Sequence, residues 1–576
     1  MGTETPSIKI GSKALEKWKD EIRAGLRYRR IFGRTKEWKT FKNMYRGLWR
    51  GDVIPVNIVY AIGRSLIPQI YFRNPRVGVV GKKPGFGLKA QMVERIDRHI
   101  LDETDLKSQL KSLILDNYLM GVGPLITGYD TEFGFNPSFN SEEFEDSSLT
   151  SFNKKGEKIE YTDNVKPGMP WALRCNPQDF VVPWGTRRFE EARWFAFRKM
   201  RTLKDIKEDP KYKNTSSLKA QFTTVLDASE ESHPNQPSRQ NIEDPVNEWV
   251  EVFQVHDKRS GRVFTLSLAH DKFMRDEIDF LQVEHLPAHV LTFNEDPDYF
   301  WAPPDVRMIQ KQQEELNHIR TMASVHRKLA VLKVIYDKNL LGKDELAKFL
   351  DGDPKAAVGI DAGTQGDIRK VLALVQSHVP PDLTIQSRET REDVRETLGF
   401  SRNQQGAFES TSGRRTATEA AIVKQASQIR IDERRDAMAD ILSKTMRTMN
   451  QYIFANWTEE RVVDIVGPDG ARHWVQFTGA ELKGEYAYRI NPEEAIPSDQ
   501  QTRKQDAIQF IQLAMQAQNS GMDVGYLLKS YAEQFDWIDP KLLFPGNEAG
   551  RSPERPIPFP AFQRQQAGAQ SSVPGL

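Results

Sequence analysis

The sequence predicts an α+β fold in which helix predominates, and three observations carry that prediction. Residues 305–329 and 414–466 contain neither glycine nor proline, which predicts two long helices. Residues 249–255 and 263–268 are rich in β-branched and aromatic side chains and flank Asp257-Lys258-Arg259-Ser260-Gly261, the pattern of a hairpin. Residues 330–380 then break the helical pattern with short strand-like and helix-like runs.

From the N-terminus, residues 12–50 read as helix in pieces, with Trp18, Ile22, Leu26, Ile31, Trp38 and Phe41 spaced among basic residues. Further helices are expected at 56–67, ended by Pro68, at 87–100 and at 106–120. In the last of these Leu106, Leu110, Leu113 and Ile114 share a face and Gly121 is the stop. Residues 130–170 are polar and turn-rich, a long loop or flexible hairpin. Residues 171–200 are rich in aromatic and β-branched residues, and a short helix is expected over 202–209 before Pro210. The segment 211–245 is low in apolar content and is expected to be mobile.

Residues 305–329 carry Val306, Ile309, Leu316, Ile319, Met322 and Leu329, a narrow apolar stripe on an otherwise polar helix about 38 Å long. Such a helix suits a bundle or ring, with neighbours on both sides, better than an ordinary core. Strands are expected at 331–336 and 371–375, with a short helix at 343–350 between them. Pro380-Pro381 opens a second polar helix that ends at Gly399, and residues 400–413 form a loop rich in Gly, Gln and Ser. Thr416 and Glu419 have capping-box spacing, and a continuous helix over 416–457 spans about 60 Å, with a kink expected. A second hairpin, 461–466 with 473–477, crosses Gly467-Pro468-Asp469-Gly470. Helices at 499–519 and 523–535 follow, then a Pro/Gln/Gly/Ser-rich tail from Pro545 that reads as disordered.

Composition excludes several classes. At 576 residues several lobes are expected, and 81 Lys plus Arg against 80 Asp plus Glu leave a net charge of +1. A protein gripping nucleic acid over its whole surface is normally far more basic. Charge is uneven, however: residues 1–50 hold fourteen Lys/Arg and five Asp/Glu, while 140–164 and 226–250 run acidic. Cys175 is the only cysteine, so there is no intrachain disulfide and no thiolate metal cage, in keeping with a reducing cytoplasm. Met1 leads into polar and then basic residues, and no secretory leader is expected. The most apolar stretch, 53–72, is interrupted by Pro55, Asn57, Arg64, Pro68 and Gln69, so it reads as packed core and no membrane partner is expected.

Catalytic patterns are weak. Residues 78–83 have glycine and lysine without the spacing or hydroxyl of a phosphate-binding loop, and read as a turn. Gly121-Val122-Gly123-Pro124 lacks the third glycine of a dinucleotide fingerprint. His285 and His289 are four apart but separated by Pro287, with no HExxH around them, so both read as structural. Asp351 and Asp353 sit in a Gly/Pro turn without the remaining ligands of a calcium loop. No enzyme, cofactor or metal is expected.

The order of elements from Trp301 onward resembles the portal proteins of tailed bacteriophages, the head–tail connector rings. Phe300-Trp301-Ala302-Pro303-Pro304 resembles that family's entry to its stem, and Gln313 and Asn317, in Q-x-x-x-N spacing within 310–320, resemble its polar stem pattern. Thr416-Ala417-Thr418-Glu419-Ala420 resembles the start of its long helix. Asn176-Pro177-Gln178-Asp179-Phe180 and Arg193-Trp194-Phe195 resemble its wing. The likeness covers about residues 50–535 and rests on the order and spacing of motifs that are individually weak. It implies an N-terminal arm and α/β wing over 1–300, a first stem helix at 301–329, a clip at 330–380 and a second stem helix at 381–399. A tunnel loop at 400–415, a long wing helix with hairpin at 416–490, a helical crown at 491–544 and a disordered tail at 545–576 complete the expected plan.

The resemblance also implies a homo-oligomeric ring, usually of twelve subunits, at one capsid vertex of the virion, assembled in the host cytoplasm. Twelve helices about 10 Å apart enclose a bore of about 28 Å after side chains are allowed for, room for a DNA duplex. The implied partners are double-stranded DNA passing through non-specifically, the terminase large subunit and then a head–tail adaptor at the clip, and the major capsid and scaffolding proteins. Arg402, Gln404, Gln405, Arg414 and Arg415 are the candidate channel contacts with DNA, since Arg and Gln touch phosphates without reading sequence. Arg414 and Arg415 also read as solvated residues at a helix start, where the dipole disfavours them. Lys338, Lys343, Asp344 and Glu345 are candidate clip surface, or simply one exposed helix. Arg27, Arg29, Arg30 and Arg34 are candidates for contacts to capsid, scaffold or a neighbouring subunit. Two rival classes are kept: another connector ring component, although adaptors are generally much shorter, and a metal-dependent nuclease with an unrecognised carboxylate site.

Overall fold

The computed structural model of the chain describes residues 12–129 (apart from 50, 72–76 and 84–85), 150–152, 158–160, 168–222 (apart from 210), 248–329 (apart from 280, 282 and 284), 333–336, 344, 372–375, 382–399, 417–457, 461–466 and 472–490. The fold is mixed, with helix predominating. Three helices lead the chain: α1 (Ser12–Phe32), α2 (Thr35–Arg46) and α3 (Ile58–Ile70). α1 and α2 are separated by Arg34, which takes a left-handed conformation at φ 52°. α3 runs past Pro68 instead of ending before it. Pro68 cannot donate to the Arg64 carbonyl, so the last turn of α3 lacks that helical bond.

The strand β1 (Val77–Gly81) occupies the segment that the sequence suggested was a turn; its partner is β16 (Tyr486–Ile490), at the far end of the described chain. Next come α4 (Gly87–Glu103) and α5 (Leu106–Met120). α5 ends at Gly121 as its sequence predicts. Gly121 has φ +86°, and a Cβ there would collide with the Ala302 carbonyl, so both backbone shape and close approach require glycine.

Three antiparallel layers follow. β2 (Gly123–Tyr129) is the centre of a sheet of order β11-β2-β5, with β5 at Pro170–Arg174 and β11 at Ala288–Leu291. β3 (Thr150–Phe152) and β4 (Lys158–Glu160) pair as a small hairpin. A five-stranded sheet of order β10-β9-β8-β7-β6 joins Phe180–Val181, Trp194–Thr202, Trp249–Asp257, Arg262–Leu266 and Arg275–Ile278 as β6 to β10. The hairpin predicted at 249–268 is β8 with β9. α6 (Leu203–Glu208) starts at Thr202, whose hydroxyl caps the Asp205 N–H. Residues 211–222 are not loose: Tyr212 and Leu218 are buried with Ile206, Val250, Val252 and Met274.

The sheet's other face takes α1. Leu15 and Ile22 are buried against Trp194, Phe253, Val255 and Phe264, with Trp18 packed at their edge. α7 (Asp305–Leu329) and α8 (Asp382–Leu398) are the two expected polar helices, and β12 (Lys333–Tyr336) pairs antiparallel with β13 (Leu372–Val375) between them. α9 (Ala417–Asn456) is one unbroken 40-residue helix, about 60 Å long. Its second half buries Met438, Ile441, Leu442, Met446, Met449 and Ile453 in the main core with α3, α4, α5 and the β2 sheet. β14 (Arg461–Val466) pairs with β15 (Arg472–Phe477) as predicted, and α10 (Gly479–Leu482) carries a capping box from Thr478 and Glu481. The capping pair expected at Thr416 and Glu419, the helices at 499–519 and 523–535 and the tail lie outside the described residues. Among the described residues no helix is long and apolar enough to cross a membrane.

Candidate functional site

α7 and α8 form an antiparallel pair whose base is clamped by α9. At the start of α7, Asp305 is buried and meets Arg434 of α9 at 2.9 and 3.0 Å. Asn294 donates a further bond of 2.9 Å to the same carboxylate. At the end of α8, Arg430 donates to the Glu396 and Thr397 carbonyls, each at 3.2 Å, satisfying acceptors that a helix C-terminus leaves open. Gly399 at φ +71° follows, and a Cβ there would strike the Arg430 side chain. Arg435 bonds the Gln69 carbonyl at 2.9 Å, fixing α9 to α3. These arginines were not singled out from the sequence. The legible signal was the four-residue spacing of Arg430 and Arg434, which puts both on one helix face.

The polar residues of α7 divide into two sets. Gln313, Asn317 and Thr321, one helical turn apart, form a ladder against the segment before α3. Asn317 Oδ1 accepts from the Val56 N–H at 2.8 Å, Gln313 Oε1 from Ile58 and Val59 at 3.0 and 3.2 Å, and Thr321 Oγ1 from Ile54 at 3.0 Å. Asn57 at the N-cap of α3 makes no side-chain cap, so α7 supplies the cap instead. Gln313 and Asn317 are buried, and the Q-x-x-x-N pair expected to belong to an open polar helix is internal glue. The burial of Val306, Ile309, Leu316 and Ile319 likewise places the first half of α7 in the body of the protein.

The second set is open. Met308, Lys311, Glu315, His318, Met322 and Val325, three or four residues apart, are exposed along one face from end to end of α7. Over α7 and α8 together the exposed charges balance. Lys311, Arg320, Arg327, Lys328, Arg388 and Arg391 stand against Glu315, Asp382, Glu389, Glu392, Asp393 and Glu396.

Beside α7, helices α1 and α2 and the chain after them enclose a cleft of about 1360 Å³. Its lining includes Arg23, Arg27 and Arg30 of α1, Lys36 and Lys39 of α2 and the apolar Leu48, Trp49 and Val53, with Glu251 and Glu314 the acidic residues among them. Arg27, Arg30 and Arg34 are exposed. Arg29 is mostly buried, lines the cleft and donates to the Phe180 carbonyl at 3.2 Å. Asp344 is exposed. Lys338, Lys343 and Glu345 lie outside the described residues, as do Arg402, Gln404, Gln405, Arg414 and Arg415 of the expected channel loop.

No group of three or more His, Cys, Asp or Glu is placed to hold a metal among the described residues. Cys175 is buried, which pushes its thiol up and away from a reactive thiolate. Burial, with Lys444 nearby, holds His289 down to about 3, so its ring is neutral at pH 7; it bonds Thr448 at 3.0 Å. No family model and no curated protein matches this sequence.

Proposed function

We propose that the chain is the subunit of a portal ring, a conduit for packaging and ejecting double-stranded DNA at one capsid vertex and a docking site first for terminase and then for a tail adaptor. The observation that carries this reading is the α7/α8 pair. Two polar helices are clamped to the body at one end with a two-stranded β12/β13 unit between them in the chain, and one of them keeps a face exposed from Met308 to Val325. An isolated subunit gains nothing from such a face, whereas copies arranged around an axis bury it against one another. The six-to-six balance of exposed charges on the pair suits a wall past which DNA slides, because fixed cations in excess would hold the phosphates. The buried Gln313 and Asn317 give the pair a rigid attachment at the α3 end.

Light scattering on the purified chain tests the reading. A mass near twelve times 66.0 kDa is expected, and a strictly monomeric mass in assembly-permissive buffer would overturn it. Supercoiled plasmid incubated with the protein and Mg²⁺ or Mn²⁺ should stay intact. Cleavage that EDTA abolishes would instead favour the nuclease.

A further inference from the structure

The basic cleft and the outer face of α8 have matching patterns. On α1, Arg23, Arg27 and Arg30 follow i, i+4, i+7 spacing and are all exposed in the cleft lining, with Lys36 of α2 beside them. On α8, Ile385, Glu389, Glu392 and Glu396 follow i, i+4, i+7, i+11 spacing and are also exposed. That acidic stripe lies opposite the face carrying Thr390, Val394 and Leu398, which are buried. No ion pair joins Arg27, Arg30 or Lys36 to a carboxylate among the described residues. Ile385 is 54% exposed, an apolar side chain with no cover at the head of an acidic stripe.

From this complementarity, and resting on the ring reading above, we infer that the cleft of one copy receives the acidic face of α8 from the next copy. An amphipathic helix laid in a groove puts its apolar side chain on the floor and its charges against the rim. Here Ile385 reaches the apolar lining of Leu48, Trp49 and Val53, while Glu389 and Glu396 meet Arg27 and Arg30; Arg23 and Glu392 already pair with Asp20 and Arg388 on their own helices. The contact is heterologous: each copy offers its α8 stripe to one neighbour and its cleft to the other, which is the geometry that closes rings. Opposed charge on the two surfaces also sets their polarity, since cleft against cleft or stripe against stripe places like charges together.

Charge exchange in the full chain tests the inference, with assembly followed by light scattering and folding checked by circular dichroism. Arg27→Glu with Arg30→Glu, and separately Glu389→Lys with Glu396→Lys, should each reduce the ring fraction at least tenfold. The chain carrying all four substitutions should recover rings, as should an equal mixture of the two half-exchanged chains. If either half-exchanged chain assembles like the wild type, or the four-substitution chain stays folded but does not recover, this interface is wrong and the ring reading still stands. A wild-type chain that never assembles overturns both.

Discussion

Asp97 on α4 is fully buried, with the Asn450 side chain beside its carboxylate. Burial pushes this carboxyl well above its ordinary range, only partly opposed by Asn450. The native state therefore keeps the proton to higher pH than the unfolded chain, whose aspartates titrate near about 3.9. Between those two points the folded state binds more protons, so stability falls as pH rises. Asp97→Asn, neutral at every pH, is expected to raise the melting temperature at pH 8, its gain over wild type growing from about pH 4 until the wild-type Asp97 itself ionises in the folded state. A melting curve in which the variant is the less stable form at pH 8 would mean that Asp97 is held ionised. Arg29 makes the complementary point: read as one of four surface arginines, it is mostly buried and donates to the Phe180 carbonyl.

At the scale of elements, α7 acts as a cap for α3 as much as a helix in its own right. Gln313→Leu removes the acceptor of one buried and one part-buried N–H group at the start of α3, a loss of about 1–3 kcal/mol. Hydrogen exchange should show the Ile58 and Val59 amides opening much faster in that variant than in wild type; unchanged protection would mean that the ladder contributes nothing. Much of the element order was legible, because its signals are local. Gly121 and Gly399 stop helices at positions of positive φ, and the hairpins at 249–266 and 461–477 announce themselves by alternation around turn residues. Non-local partners were not legible. Val77–Gly81 looks like a turn until Tyr486–Ile490 arrives to pair with it. The polar face of α7 reads as solvent-facing until the chain before α3 lies down on it. The partners of the α9 clamp do not show in a window of sequence, since it joins Arg430 and Arg434 to residues of α7 and α8; the basic cleft is foreshadowed by the excess of Lys and Arg in residues 1–50.

At the scale of the whole molecule, the chain returns on itself before it reaches out. β16 closes onto β1, and α9 threads the core between α3, α4 and the β2 sheet. The α7/α8 pair is clamped at its base by Arg430 and Arg434, and the Gln313, Asn317 and Thr321 ladder ties α7 to the chain before α3. A body of this kind holds its own core and still leaves a helical face, a basic cleft and an acidic stripe uncovered. Those surfaces make sense together when copies repeat around an axis. End-on electron images of the purified chain test that most directly. Closed rings of about twelve subunits with a bore of about 28 Å, wide enough for a duplex, are expected. Compact particles without a channel, in buffers that permit assembly, would contradict the portal reading.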